Sequence, residues 1–303
     1  MKSLYSSLLA AGVFALGASV LHASAVVNVP AFAANTLATT PADGTESAGP
    51  LSLGFTANFL GTDYSSVYVN SDGTETFSAP TSASSSGVLS GAIQAEFAPF
   101  LAGIDTSASG TITYGAGSYK GLAATAQAAF GVDYNNVGYD DGESNKTNTF
   151  QVILESRADI AAGDFDVYFN YNQVQWDTSD SAGGTNGVFD GNSLSQAARA
   201  GFTDGSGNAG EYYELPGSGV NSALLDGGPD SLVAGTAPSA NGANGANTWT
   251  LVNDGTAGSY LFEFRGPSAT VVPLPPAIWS GLAMFGLLGA GALVASRRRR
   301  AQA

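Results

Sequence analysis

Cysteine is absent from the 303 residues, and histidine occurs once, as His22. The first absence removes disulfides, so whatever folds here is held by its core alone. It also removes thiolate ligands for zinc or copper and any cysteine nucleophile. The lone histidine lies in a stretch that reads as cleaved on export, so no Ser-His-Asp arrangement can be assembled and no imidazole remains as a ligand. A phosphate-cradling glycine loop is missing as well. Bases are scarce, 10 against 25 acids. All 25 acids lie between Asp43 and Glu263, where only Lys120, Lys146, Arg157, Arg199 and Arg265 are basic, so that region carries 5 minus 25, or −20. Such a region repels nucleic acid and anionic headgroups and attracts divalent cations and basic partners. It also keeps an exported protein soluble without further function.

The termini carry addresses. MKSLYSSLLAAGVFALGASVLHASA has a basic start at Lys2, an apolar stretch from Leu8 to Leu21 and the small-residue site Ala23-Ser24-Ala25. That order is a secretory signal peptide over residues 1–25, forming a helix before removal, with cleavage between Ala25 and Val26. At the other end, residues 277–296 hold no charge, Trp279 sits near their start, and Arg297, Arg298, Arg299 and Arg300 follow. A helix of that length is about 30 Å long, enough to cross a bilayer. The basic tail 297–303 stays cytoplasmic, so everything before Pro276 lies across the membrane. Between the addresses, residues 26–50 read as a lead-in or an edge strand and 51–267 as the folded domain. Export without disulfides, together with these ends, points to a bacterium.

The middle alternates with period two. In Asp164–Tyr171, Phe165, Val167, Phe169 and Tyr171 share one face and the aspartates the other. In Thr149–Leu154, Phe150, Val152 and Leu154 share a face, and the short segment with Gly163 makes the two runs a hairpin. Tyr64–Val69 and Thr74–Phe77 flank Asp72-Gly73, a second hairpin. Tyr260, Phe262 and Phe264 alternate with Leu261, Glu263 and Arg265. Leu194–Ala200 reads as a short helix or another strand, and the low-complexity stretch 234–247 as a mobile loop. The fold class is all-β: an antiparallel two-sheet sandwich, flanked by the signal helix and the membrane helix.

Chemistry-bearing groups are few. The densest acidic cluster, Asp140-Asp141-Gly142-Glu143, falls between two expected strands. Oxygen ligands in a flexible loop suit calcium, although the spacing is not that of an EF-hand, and a solvated turn has the same composition. No other cofactor is indicated. Trp176 and Tyr171 read as core. Asn145-Lys146-Thr147 has the glycosylation pattern.

Eight pieces occur in one order: LGFTANFLGTDYSSVYVNSDGTETF, APFLAGIDTSASGTITY, VDYNNVGY, NTFQVILE, FDVYFNYNQVQWDT, ARAGFTDG, YYELPGSG and GSYLFEFR. Together, from about Leu53 to Arg265, they resemble the nidogen-like extracellular domain. The sequence departs from that family at Gly103, where the family has an acidic residue, and at 234–247, which looks inserted. The tail 268–303, with the proline motif Val272-Pro273-Leu274-Pro275-Pro276 before the span and arginines, resembles the PEP-CTERM sorting signals in their VPLP-type variant. That resemblance implies processing by an exosortase-type membrane protease, with anchoring at the inner membrane beforehand and release to the cell surface or matrix afterwards. A plain single-span anchor is the alternative. The two resemblances imply a non-catalytic protein of cell–matrix adhesion, biofilm or aggregate formation, with extracellular polysaccharide or a matrix protein as partner and no nucleic acid. The alternative from another class is an exported glycoside hydrolase, which needs two carboxylates facing each other across a cleft.

Overall fold

The computed structural model describes residues 24–38, 46–81, 87–140, 142–189 and 196–267. In chain order the strands are β1 (Asn35–Thr36), β2 (Ser47–Phe59), β3 (Thr62–Asn70), β4 (Thr74–Thr76), β5 (Glu96–Leu101), β6 (Ile104–Asp105), β7 (Thr111–Tyr119), β8 (Gln127–Tyr139) and β9 (Glu143–Ser156). They continue as β10 (Phe165–Val174), β11 (Gly184–Thr185), β12 (Val188–Phe189), β13 (Arg199–Thr203), β14 (Tyr212–Glu214), β15 (Ala240–Asn244), β16 (Asn247–Val252) and β17 (Ser259–Arg265). The described helices are two short 3-10 turns, Pro30–Ala33 and Leu89–Gly91.

The strands form three antiparallel sheets rather than two. The large one runs β1-β7-β8-β9-β10-β17-β16-β15, with β6 also on β8. The second runs β14-β13-β5-β4-β3-β2, and β11 with β12 makes a small third. The expected hairpins are present: β9 pairs β10 with Val152 opposite Phe169, and β3 pairs β4 across Asp72-Gly73. Gly73 has φ +79°, and a methyl group there would overlap the Phe100 carbonyl, so this turn requires glycine.

The apolar faces of the two large sheets meet. Phe150, Val152, Leu154, Phe165, Val167, Phe169 and Tyr171 are all buried in one cluster with Phe59, Val67, Val69 and Phe97 of the smaller sheet. Across the interface the Phe59 ring stands edge-on to Phe264 at 5.1 Å, and Phe97 to Phe165 at 6.1 Å. Such contacts add about 0.5–1.5 kcal/mol each to the burial itself. Period-two alternation thus places the residues it predicts.

The stretch 234–247 corrects the sequence expectation of a mobile loop. Ala240–Asn244 is the edge strand β15, paired to β16 through a turn at Gly245, and Asn244 Nδ2 donates to the Leu60 carbonyl at 2.9 Å. Its small polar residues hide the strand because an edge with one exposed face needs few apolar side chains. Of the segment left open as helix or strand, Arg199 and Ala200 open β13, while residues 190–195 lie outside the described residues.

The outer face of the large sheet is also covered. Phe32 is buried with Ala129, Ile153, Tyr168 and Leu261. Gly131 makes room for it, since a methyl group there would overlap the Phe32 ring. Val27 is bonded through both its N–H and its C=O to the Gln151 amide, at 3.2 and 2.8 Å. Beside this cover Asp166 is fully buried between Arg157, at 2.6 Å, and Arg265, at 2.7 Å. The alternation puts Asp166 opposite the core as expected, but not in water.

Candidate functional site

Ten carboxylates are buried among the described residues: Asp72, Glu75, Glu96, Asp105, Asp140, Glu155, Asp164, Asp166, Asp177 and Glu211. A negatively charged sequence is therefore not a uniformly negative surface, because burial disfavours the charged form of an acid.

Asp140 is one of the expected calcium ligands. Its carboxylate is turned inward, accepting from the Ser181 and Ser179 hydroxyls, and its backbone N–H donates to the Gly103 carbonyl at 3.0 Å. A side chain at position 103 would overlap Asp140 Oδ2, so the glycine there leaves its space to the Asp140 carboxylate. Asp105 accepts from the backbone N–H groups of Ser107 at 2.6 Å and Gly142 at 2.9 Å. Glu143 is half-buried at the start of β9, and Asp141 lies outside the described residues. Among the described residues no three metal-ligating side chains come together.

One strand inward, Asp72 and Glu75 are fully buried. The Thr74 hydroxyl donates to Asp72 at 2.8 Å, and the Tyr134 hydroxyl lies 2.9 Å from Glu75 Oε1 and 3.0 Å from the Asn70 carbonyl. The second oxygen of each carboxylate has no hydrogen-bond partner. Burial pushes both carboxyls well above the usual carboxylate range. Glu96 follows on β5, 7 % exposed, and burial pushes it up to about 7. Sequence reasoning missed this group. The one available signal was EFAPFL, an acid at the head of an otherwise apolar strand.

Three surface cavities lined by described residues each hold a carboxylate. The first, about 340 Å³ between Leu215 and Tyr260, contains Asp230. The second, about 390 Å³ over β5, contains Glu96. The third, about 250 Å³ beside Tyr119 and Tyr168, contains Asp254. Each thus has a single carboxylate, whereas glycoside hydrolysis by the usual route needs two. Trp176 is fully buried with its indole N–H on the Val137 carbonyl at 3.1 Å, and Tyr171 donates to the Pro99 carbonyl at 2.6 Å. Neither presents a ring to a ligand. Asn145 of the glycosylation pattern accepts from the Tyr139 hydroxyl at 2.6 Å.

At the expected processing sites, Ala25 is buried and Val26 half-buried, with Ala25 Cβ against Gly258. Ala23, the motif Val272-Pro273-Leu274-Pro275-Pro276, the span 277–296 and Arg297, Arg298, Arg299 and Arg300 lie outside the described residues. Among the described residues no helix is long and apolar enough to cross a membrane.

The family model of the nidogen-like domain matches residues 65–264, from within β3 to within β17. Neither a curated protein nor a solved structure matches the chain.

Proposed function

The chain belongs to the nidogen-like domain family, and from that premise we propose that it is an exported, non-catalytic surface or matrix protein acting in cell–matrix adhesion, biofilm or aggregate formation. The family is an extracellular, non-enzymatic one, and the match over 65–264 carries the reading. The lone carboxylates of the three cavities favour it over the hydrolase alternative. The partner in this reading is extracellular polysaccharide or a matrix protein.

Location follows from the ends. The signal peptide directs export, and the proline motif, span and arginines hold the chain at the inner membrane until an exosortase-type protease releases it to the surface or matrix. Intact mass of the protein from its native host tests this: the mature chain begins at Val26 and lacks Arg297–Arg300. A bulk population retaining the arginines would leave a plain anchor.

Calcium strengthens association in this proposal. Exposed acids such as Asp63, Asp226 and Asp254 face water, and a divalent ion can bridge carboxylates on two surfaces where sodium only screens. Of the expected loop ligands, half-buried Glu143 can add to this, whereas the Asp140 carboxylate is turned onto Ser179 and Ser181. Deleting the gene and measuring cell–matrix adhesion, with calcium, with chelator and with sodium chloride at matched ionic strength, tests the reading. Adhesion should fall in the deletion strain, return on complementation and show a calcium-specific gain. Unchanged adhesion in the deletion strain would reject the function; equal gains from both salts would reject bridging.

A further inference from the structure

Glu96 is a buried acid without a hydrogen-bond or ion-pair partner among the described residues. It lies on the outer face of the smaller sheet, at the start of β5, opposite Thr76 of β4 and Thr203 of β13. Its carboxylate makes no hydrogen bond or ion pair among the described residues, although the side chain is 7 % exposed. Burying an unpaired charge is costly, and natural structures pair such groups or neutralise them. Here the carboxylate lines a cavity of about 390 Å³, the size of a small-ligand site.

The rest of the lining says what would fit. Leu89 and Leu101 form a small apolar cluster with Ala98 beneath the 3-10 turn, and both line the cavity. Val88 and Ile93 also line it and are 52 % and 95 % exposed. They are two of five exposed large hydrophobic side chains among the described residues, so the apolar surface here is clustered rather than scattered. Other polar groups are engaged: the Thr74 hydroxyl donates to Asp72, and Gln94 Oε1 accepts from Ala79 N–H. There is no aromatic platform. An aliphatic slot ending in one free carboxylate matches an aliphatic stem ending in one cation.

We propose that this cavity receives a basic side chain, lysine or arginine, from a protein partner in the matrix, with the stem along Leu89, Leu101, Val88 and Ile93 and the cation on Glu96. This names the partner chemistry within the adhesion reading, and it is tested without an adhesion assay so that either can fail alone. A sugar is disfavoured because nothing in the lining can stack on a ring face. The nearby titratable groups are Asp72 and Glu75 around β4 and Glu214 of β14, whose Oε1 accepts from Leu89 N–H while Oε2 pairs Arg199 at 2.6 Å. None supplies a cation to Glu96.

The probes are butylammonium and butylguanidinium chlorides, with 1-butanol, glucosamine and sodium chloride as controls, titrated into the full-length chain in non-ionic detergent and followed by NMR. The expected result is saturable one-to-one binding of one or both cationic probes. It should weaken about tenfold or more in Glu96→Gln and stay unchanged in Asp159→Asn, which removes an exposed charge elsewhere. Equal affinity in Glu96→Gln would overturn the proposal in favour of diffuse surface charge. Butanol binding as well as butylammonium would reduce the cavity to an apolar slot and overturn it. Glucosamine binding without either butyl cation would replace it with a carbohydrate site. If Glu96→Gln does not fold, the carboxyl carbon of Glu96 in the wild-type chain decides. Its titration midpoint must fall when butylammonium is added, and a midpoint that stays put overturns the assignment.

Discussion

Stability should fall as pH rises from about 4.5 to 7, the reverse of the usual behaviour of paired carboxylates. The perturbation is pH alone, and the groups most strongly raised by burial are Asp72, Glu75 and Glu96, with Asp133, Glu155, Asp177 and Asp226 raised in the same direction. An acid raised in the folded state keeps its proton there while the unfolded chain has already lost it. The native state then binds more protons than the unfolded one, so unfolding becomes easier as pH increases. Below the unfolded pKa both states are protonated and nothing is lost. For Glu96 the window runs from 4.5 to about 7, and at about 1.4 kcal/mol per pH unit the loss is about 3 kcal/mol. Asp72 and Glu75 lose stability in the same direction over a window that begins near their own unfolded values. Asp159, lowered by its hydrogen bond from Arg157, and Glu211, lowered by Ser206, act oppositely. Their contributions are present above their unfolded pKa values and lost only in stronger acid. Guanidinium midpoints at pH 5, 6, 7 and 8 measure the effect. Glu96→Gln should flatten the slope between pH 5 and 7 by one proton, about 1.4 kcal/mol per unit. A wild-type stability that is level or rising across that range would refute the reasoning, as would a slope that Glu96→Gln leaves intact.

Phe169→Ala, in the middle of β10 with its ring 5.3 Å from Phe262, should cost about 3–5 kcal/mol, read by denaturant unfolding; a loss below about 1 kcal/mol would mean the face is assigned one residue out. Gly131→Ala should destabilise by about 1–3 kcal/mol through overlap with Phe32, and less so in a Phe32→Ala background; equal costs in both backgrounds would remove that contact as the cause. Tyr134→Phe takes the donor from Glu75 and from the Asn70 carbonyl, and should cost about 1–3 kcal/mol in thermal or chemical unfolding.

The interior of the sandwich was legible because strand side chains alternate strictly. Phe150, Val152, Leu154, Phe165, Val167 and Phe169 all lie where their spacing puts them. The Asp72-Gly73 turn was legible for the same local reason, a left-handed residue between two apolar runs. What lay on the far faces was not. Glu96 sits on an outer face that the alternation assigns to water, and among the described residues the 3-10 turn Leu89–Gly91, just before the strand, lines the same cavity. Asp166 likewise alternates outward and is buried by Arg157 and Arg265, which stand at the ends of the two flanking strands β9 and β17. Alternation reports which residues share a face, not what tertiary structure later covers that face. β15 escaped because an edge strand of Ala, Asn and Gly has the composition of a loop. The Asp140 loop was visible as an acidic cluster, but the inward turn of Asp140 depends on Ser179 and Ser181, some forty residues on.

Size-exclusion chromatography with light scattering, on the full-length chain mixed with the matrix polysaccharide and surface proteins of its own cells, tests most directly whether this is a binding protein or an enzyme. The account predicts a stable complex whose polymer component keeps its mass during prolonged incubation. Polymer mass that falls with time, with no chain retained on it, would contradict the account and restore the hydrolase.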